Sequence, residues 1–497
     1  MSKRKEILGQ TWLYSLGTQI AQLITLLAAL FSRRFLGPTQ TGIWTTLQII
    51  VDYSKYSTLG TMDAVSREIP YQIGKGEFET AEKIKNLAAS FVFSGSIVLS
   101  LSISVFAFLT RGRFAAEITY GLYFVAVVIF LQRINNLQIA LLRCYKRFDV
   151  ETVFMIASAA VNAVLVGVLT YFFKIYGFIF ALILSLVFNI LFVRTRYAFK
   201  FKWNYDLKTL KPLVSFGLPL MVLGLATTFF RSLDRIMIAK FLGFKMLGWY
   251  SIALMVTSYI SNFPIAIGIV LLPHFQEKYG EKDSSHDLGN YLTKSAFAVA
   301  LVMPLLLAFV DLAAPYGVSL FLPKFTPGLT AMKILILNMF FISLVPLYYD
   351  ALITIKKHLL LFPIIFVSAL LTAGLDWFAI QRGMGIEGVA AATGIGFFVY
   401  FFTLQASAAK FFHYGKSFNK TLGFIFILFL YLTAFILAAE KIACSDFYSI
   451  KTISVKMLMF ILFAVPLIFI LNKQFNFISL IAGKFFRKPR PAPETLP

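Results

Sequence analysis

Apolar runs of roughly eighteen residues or more recur from one end of this 497-residue chain to the other, and they leave no stretch large enough for a sizeable water-soluble domain. A bilayer offers backbone groups no hydrogen-bond partners, so such runs must fold as helices. Spans are expected at about 10–33, 40–62, 86–110, 117–140, 150–173, 177–195, 212–238, 246–272, 292–313, 329–353, 359–380, 386–410, 421–440 and 454–472. The expected fold class is therefore an all-α polytopic membrane protein of about fourteen transmembrane helices. Composition agrees: 59% of residues are hydrophobic and 14% charged, with a mean hydropathy of +0.79. The basic N-terminus could suggest a signal peptide, but its apolar run is too long and Arg33-Arg34 follows it, so an uncleaved first helix is expected.

The spans carry an internal repeat. Phe35-Leu36-Gly37 with Gly42 returns as Phe241-Leu242-Gly243 with Gly248, an offset of 206 residues (241 − 35). The same offset places Gly177 on Gly383 and Arg34 on Lys240. Duplicated membrane halves are how many secondary transporters build a cavity that opens to either side. The spans then divide as six, six and two: residues 1–210 as an N-terminal six-helix lobe, 211–415 as a C-terminal one, and 416–497 as an appended pair with a basic tail.

The net charge of +23 reflects 46 Lys+Arg against 23 Asp+Glu. Much of this excess is topology, since cytoplasmic loops collect basic residues, and it gives no reason to expect nucleic-acid binding. Clusters such as Arg67, Lys75, Lys83 and Lys85, or Arg194, Arg196, Lys200, Lys202 and Lys208, fall on one side when the N-terminus is cytoplasmic. The chain is accordingly expected in the cell (inner or plasma) membrane, with both termini cytoplasmic. Tyr71 to Lys85 should open into an interfacial amphipathic helix, 274–290 should form a hydrophilic loop, and the Pro-containing tail after Lys484 should be disordered. Cys144 and Cys444 are expected in loops on opposite sides, so no disulfide between them is expected.

Ionisable groups inside spans cost roughly 2.5–3.5 kcal/mol each to insert and usually face a polar interior. Asp52 and Lys55 lie three apart on one helical face, either as a neutralising internal pair or as a cavity pair that reorganises with substrate or proton. Arg133 sits among Gln132, Asn135, Asn136 and Gln138, which suits a water-filled cavity or helix–helix hydrogen bonding. The seventh span ends in Arg231, Asp234, Arg235 and Lys240, and Arg33-Arg34 stands at the equivalent end of the first. Those outer-end cations either snorkel to lipid phosphate or bind an anionic ligand, for which guanidinium forks are well matched. Asp350, after Tyr348-Tyr349, could gate or cap its helix.

Several motifs carry no chemistry. Gly383-Met-Gly385-Ile-Glu-Gly388 fits G-x-G-x-x-G but follows no strand and joins two spans, so turn and packing glycines explain it better. Gly415-Lys416-Ser417 resembles the end of a P-loop, yet Lys410 stands where its first glycine belongs. His274, His286, His358 and His413 lack metal-ligand spacing, and Asn419-Lys-Thr421 is a sequon expected on the cytoplasmic side. No enzyme, cofactor or metal site is expected.

Three stretches carry a family resemblance: Arg34-Phe-Leu-Gly-Pro-Thr-Gln-Thr-Gly42; Leu233-Asp-Arg-Ile-Met-Ile-Ala-Lys-Phe-Leu-Gly243 with Leu247-Gly-Trp-Tyr-Ser-Ile252; and Gly385-Ile-Glu-Gly-Val-Ala-Ala-Ala-Thr393. The chain resembles the polysaccharide transport (Wzx-type) flippases of the multidrug/oligosaccharidyl-lipid/polysaccharide (MOP) exporter superfamily over about its first 410 residues. The resemblance implies two pseudo-symmetric, MATE-like six-helix lobes in a V. It also implies flipping of a polyprenyl-diphosphate-linked oligosaccharide, for O-antigen, capsule or exopolysaccharide, from the cytoplasmic to the outer leaflet. Asp234-Arg235 matches the family's seventh-helix motif. Lipid-linked oligosaccharide and membrane lipid are the implied partners, with glycosyltransferases and a glycan polymerase as associates and H+ or Na+ coupling left open. A monomer with its own cavity needs no second subunit. The rivals are a cation-coupled multidrug exporter, whose substrates need acidic cavity residues, a peptidoglycan lipid-precursor flippase, and a membrane scaffold.

Overall fold

A computed structural model describes residues 3–197, 199–282, 285–412, 416–441 and 450–475. Among these the regular secondary structure is helical: α1 (Lys3–Ser54), α2 (Thr61–Lys75), α3 (Phe78–Leu109), α4 (Ala116–Cys144), α5 (Phe148–Arg196), α6 (Leu207–Met237), α7 (Phe244–Lys282), α8 (Ser285–Phe321), α9 (Leu329–Thr354), α10 (Leu361–Gln381), α11 (Gly385–Phe412), α12 (Lys416–Lys441) and α13 (Ile450–Phe475). Twelve of them are long and apolar enough to cross a membrane. Two of the twelve, α1 with 52 residues and α5 with 49, are far longer than one crossing, which needs about 20. Each is interrupted, at Gly37 (φ 71°, ψ 177°) in α1 and at Lys174 (φ 54°, ψ −131°) in α5. Ten single and two double crossings recover the fourteen expected spans.

The repeat appears in the backbone. Gly243 (φ 88°, ψ 172°) adopts nearly the same conformation as Gly37, a region open almost only to glycine. The second pair in register, Gly177 and Gly383, does not match: Gly177 is helical, whereas Gly383 (φ 72°) lies in the turn before α11. In the first half the break falls three residues before Gly177, on Lys174. Gly383 and Gly385 both take positive φ, and Gly388 packs against Ala379 and Met384, so this glycine cluster makes a turn and a close helix contact.

Compactness divides the chain into two units. The first comprises Met1–Ile252, Val318–Leu329 and Ile365–Thr393; the second comprises Ala253–Gly317, Thr330–Ile364 and Gly394–Pro497. Within the first unit the motif glycines meet. A methyl on Gly42 would strike the Phe244 carbonyl, and one on Gly248 would strike the Pro38 carbonyl. Residues 38 and 244 are themselves related by the 206 offset (244 − 38), so the contact is reciprocal across the repeat. Gly60, just before α2, and Gly217 of α6 oppose each other's carbonyls in the same way. Small residues at these points let helix backbones approach in the way membrane helices favour. Apolar packing of Leu47, Val125, Ile129, Ile175 and Ile179 fills the interior beside them.

Three local expectations shift. The amphipathic helix is α2, over 61–75, and it ends at Gly76 (φ 82°), so the polar stretch to Lys85 divides between α2 and the start of α3. Its Ala64, Val65 and Ile69 are buried while Arg67 is exposed. The hydrophilic stretch 274–290 is no long loop, because α7 continues to Lys282 and α8 begins at Ser285. Cys144 is the last residue of α4, buried with its Sγ 3.9 Å from the Val65 carbonyl oxygen, because α4 runs on past the expected end of its span. Cys444, His413, Gly415 and the tail lie outside the described residues.

In the second unit Lys333 of α9 pairs with Glu440 of α12 at 3.1 Å, Lys456 of α13 lies 5.2 Å from the Tyr316 ring, and Asp311 of α8 interacts electrostatically with all three charged groups. This cluster ties the appended pair to the helices before it.

Gly42→Ala or Gly248→Ala should lower stability by about 1–3 kcal/mol each, because a backbone carbonyl cannot swing aside as a side chain can. Gly74→Ala, where nothing lies within 4 Å, should be neutral or slightly stabilising. Thermal unfolding in detergent measures the difference; equal melting temperatures for all three variants would contradict the glycine seam.

Candidate functional site

Where α1 and α6 run past one another, their polar side chains pair in antiparallel order. Asp52 Oδ2 accepts from Arg235 Nη1 at 3.1 Å, Tyr53 Oη lies 2.8 Å from Ser232 Oγ, and Tyr56 Oη lies 2.6 Å from Thr228 Oγ1. Gly224, one turn further, leaves room for the Tyr56 ring. The row continues past the end of α1, since Tyr56 lies in the 3-10 turn Lys55–Thr58, while Thr228 and Ser232 are one turn apart on α6.

Beside this row opens a cavity of about 350 Å³ within the first unit. Val51, Asp52 and Lys55 line it from the α1 side, Gln132, Arg133 and Asn136 from α4, and Thr228, Arg231 and Arg235 from α6. Four cations and one carboxylate give the lining a formal charge of +3 (4 − 1). Arg133 is only 7% exposed and its Nε has no hydrogen-bond acceptor among the described residues; the Gln132 amide oxygen is likewise without a donor. The polar stripe of α4 thus splits by face: residues 132, 133 and 136 meet the cavity, while Asn135 and Gln138 are buried in the helix packing.

Asp52 does not pair with Lys55. The α-helix ends at Ser54 and Lys55 begins a 3-10 turn, which breaks the i,i+3 register; Lys55 lies 4.9 Å from the Tyr56 ring instead. Arg235, 183 residues away, takes the carboxylate.

Asp234 is buried at 5% exposure, away from the cavity lining. Its Oδ2 accepts from Tyr250 Oη at 2.7 Å and its Oδ1 accepts from the Arg235 backbone N–H at 2.7 Å. Close enough to interact electrostatically with both Asp234 and Tyr250 is Asp376 of α10, fully buried, with neither carboxylate oxygen meeting a donor among the described residues. Thr393 of α11 lies against Tyr250. Asp376 was open to detection by sequence, since it is a lone carboxylate inside an apolar span, the same signal that marks Asp52. Tyr250 and Thr393 carry no such signal.

The remaining candidates lie elsewhere. Arg33 donates to its own helix at the Ala29 carbonyl, Arg34 is exposed, and exposed Lys240 lies 5.1 Å from the Phe241 ring in the π-helical turn Ile238–Leu242. None of the three lines the cavity. Asp350 belongs to the second unit, where its carboxylate faces Gly268 of α7. Among the described residues no three His, Cys, Asp or Glu side chains come together as a metal site would require.

Residues 79–324 match the family model described as "Polysaccharide biosynthesis protein". No curated protein matches the sequence. Among solved structures, a multidrug resistance MATE family transporter of the MOP superfamily, in an inward-facing conformation, superposes with a TM-score of 0.65 at 16% identity, over 82% of this chain and 99% of that one. The lipid II flippase MurJ, in an inward closed conformation, gives a TM-score of 0.67 at 14% identity over 96% and 100%. A Pyrococcus furiosus MOP superfamily transporter, described as having a binding pocket of reverse polarity, gives 0.61 at 16% over 82% and 96%. Identities this low establish fold alone, and the fold they establish is that of these transporters. The family match extends over residues 79–324, and the fold is the one that these MOP superfamily transporters share.

Proposed function

We propose that this protein flips a polyprenyl-diphosphate-linked oligosaccharide from the cytoplasmic to the outer leaflet by alternating access, between a first half of 1–210 and a second of 211–415. The observation that carries the reading is the +3 cavity in an otherwise apolar bundle. An excess of intramembrane cations is costly unless an anion visits them. Arg133 and Arg231 meet the diphosphate as forked donors, and Lys55 adds a point charge. Gln132, Asn136 and Thr228 suit sugar hydroxyls. Arg235 divides its guanidinium between Asp52 and the substrate, so phosphate arrival competes with the Asp52–Arg235 pair across the α1–α6 seam. The lipid tail stays in the bilayer. A cation-coupled exporter of cationic drugs fits this lining poorly, because the cavity has the wrong sign. A peptidoglycan-precursor flippase shares the diphosphate chemistry, and substrate competition separates the two.

For coupling, the buried Asp234–Tyr250–Asp376 cluster has the composition of a site for a proton or a monovalent cation: two carboxylates, with unused oxygens on Asp376 and a hydroxyl nearby. This completes the site residues with a part that the cationic cavity cannot supply.

In proteoliposomes loaded with fluorescent lipid-linked oligosaccharide, Arg133→Gln and Arg235→Gln should each slow flipping at least tenfold, about 1.4 kcal/mol of lost stabilisation, with little change in melting temperature for Arg133→Gln. Wild-type rates from the double variant would refute the cationic-cavity reading. Unlabelled lipid II added as competitor should leave the rate unchanged; strong competition would favour the peptidoglycan precursor. The charge reversal Asp52→Arg with Arg235→Asp should recover stability lost in either single variant, measured as coupling in a double-mutant cycle. Asp376→Asn should abolish any rise in melting temperature that Na+ or acid pH gives the wild type. A response of unchanged size in the variant would place coupling elsewhere.

A further inference from the structure

Between α5 and α6 the chain reads Tyr197-Ala-Phe199-Lys200-Phe201-Lys202-Trp203-Asn204-Tyr205-Asp206, aromatic at every second position. That period belongs to an extended strand, but among the described residues no strand lies beside it. Its backbone is tied to α3 instead: the Lys202 N–H donates to Asn86 Oδ1 at 3.1 Å and the Asn204 N–H to Ser90 Oγ at 2.9 Å. The Phe201 and Trp203 rings lie 6.3 and 6.1 Å from Phe93, and Trp203 stacks on Tyr205 at an interplanar angle of 14°. The strip is thus held rigidly along α3.

Rigid attachment does not hide the rings. Trp203 is 69% exposed and Tyr205 54%. Exposed around them are Arg194, Arg196, Lys200, Lys202, Lys208 and Lys211. The one carboxylate between 194 and 211, Asp206, is occupied as the N-cap of α6, accepting from the Lys208 N–H at 3.0 Å and from the Thr209 hydroxyl at 2.6 Å. Those two donors, Thr209 foremost, hold its carboxyl below the usual range, so it stays a capping anion.

Both flanking helices are long and apolar enough to cross a membrane, so the strip joins the ends of two candidate spans. Stacked Trp and Tyr rings with polar tips favour the headgroup boundary, and long basic side chains reach phosphate from there. We infer that Tyr197 and residues 199–205, with the basic residues that flank them, form an anchor for anionic lipid headgroups that fixes the junction between the two sequence halves on the leaflet surface. Between 194 and 211 six cations stand against one committed anion, and Glu82 of α3 beside the strip is paired with Lys85. This balance selects the occupant, since a zwitterionic surface offers the rings a place but the charges no counterpart. The inference concerns the leaflet and is independent of the flipped substrate.

Tryptophan quenching in nanodiscs tests it with the full chain. One disc carries brominated phosphatidylglycerol in unbrominated phosphatidylcholine; the other carries the bromines on phosphatidylcholine at the same mole fraction. Quenching assigned to Trp203, as wild type minus Trp203→Phe, should be several-fold stronger with brominated phosphatidylglycerol. The pair Lys200→Gln with Lys202→Gln should bring the two discs to equality. Native mass spectrometry of that pair, which keeps every tryptophan, should show fewer retained phosphatidylglycerol molecules than wild type. Equal Trp203 quenching in both discs would overturn the selectivity. Its absence from both would show that the strip stands off the bilayer and faces water or an acidic protein.

Discussion

Two glycines, Gly42 and Gly248, set how close the repeated motifs come within the first unit, and the seam follows from that distance. Each faces a backbone carbonyl contributed by the other copy, so a side chain at either position would force the copies apart. With the backbones this near, Tyr53 and Tyr56 reach hydroxyls on α6, and Asp52 reaches Arg235. A seam spaced by leucines would leave those polar groups without partners in a medium that supplies none.

The cavity depends on the seam in turn. Arg235 stands both in the α1–α6 row and in the cavity wall, so the polar contact that joins the helices also faces the space where an anion would sit. Even with Arg235 counted as cancelled by Asp52, Lys55, Arg133 and Arg231 leave the lining at +3. Among the described residues Arg133 Nε has no such partner, and the excess of Lys55, Arg133 and Arg231 gives the cavity its sign. Asp234, adjacent in sequence to Arg235, turns the other way into a buried carboxylate cluster. One helical turn therefore serves two polar sites with opposite charge.

Much of this was legible in the chain. Asp52, Arg133, Arg231 and Arg235 stand out because charge in an apolar span is expensive, and the structure puts all four on one cavity. Other readings failed for identifiable reasons. Asp52 and Lys55 have helical spacing, but the helix ends between them, and a boundary displaced by one residue changes every partner beyond it. Arg33, Arg34 and Lys240 share register and sign with the motif but not the cavity, because a repeat relates positions without saying which face they present. Gly177 and Gly383 coincide in number while differing in conformation.

Sequence alone determined the number of crossings, the repeat, and the cost of each buried charge. These are properties of local composition measured against a bilayer of fixed thickness. It could not decide which charges meet. Asp52 with Arg235, or Asp376 beside Asp234, joins residues on different helices and far apart in the chain. Their proximity depends on helix rotation and approach, which the glycine contacts and side-chain packing fix only when the helices assemble.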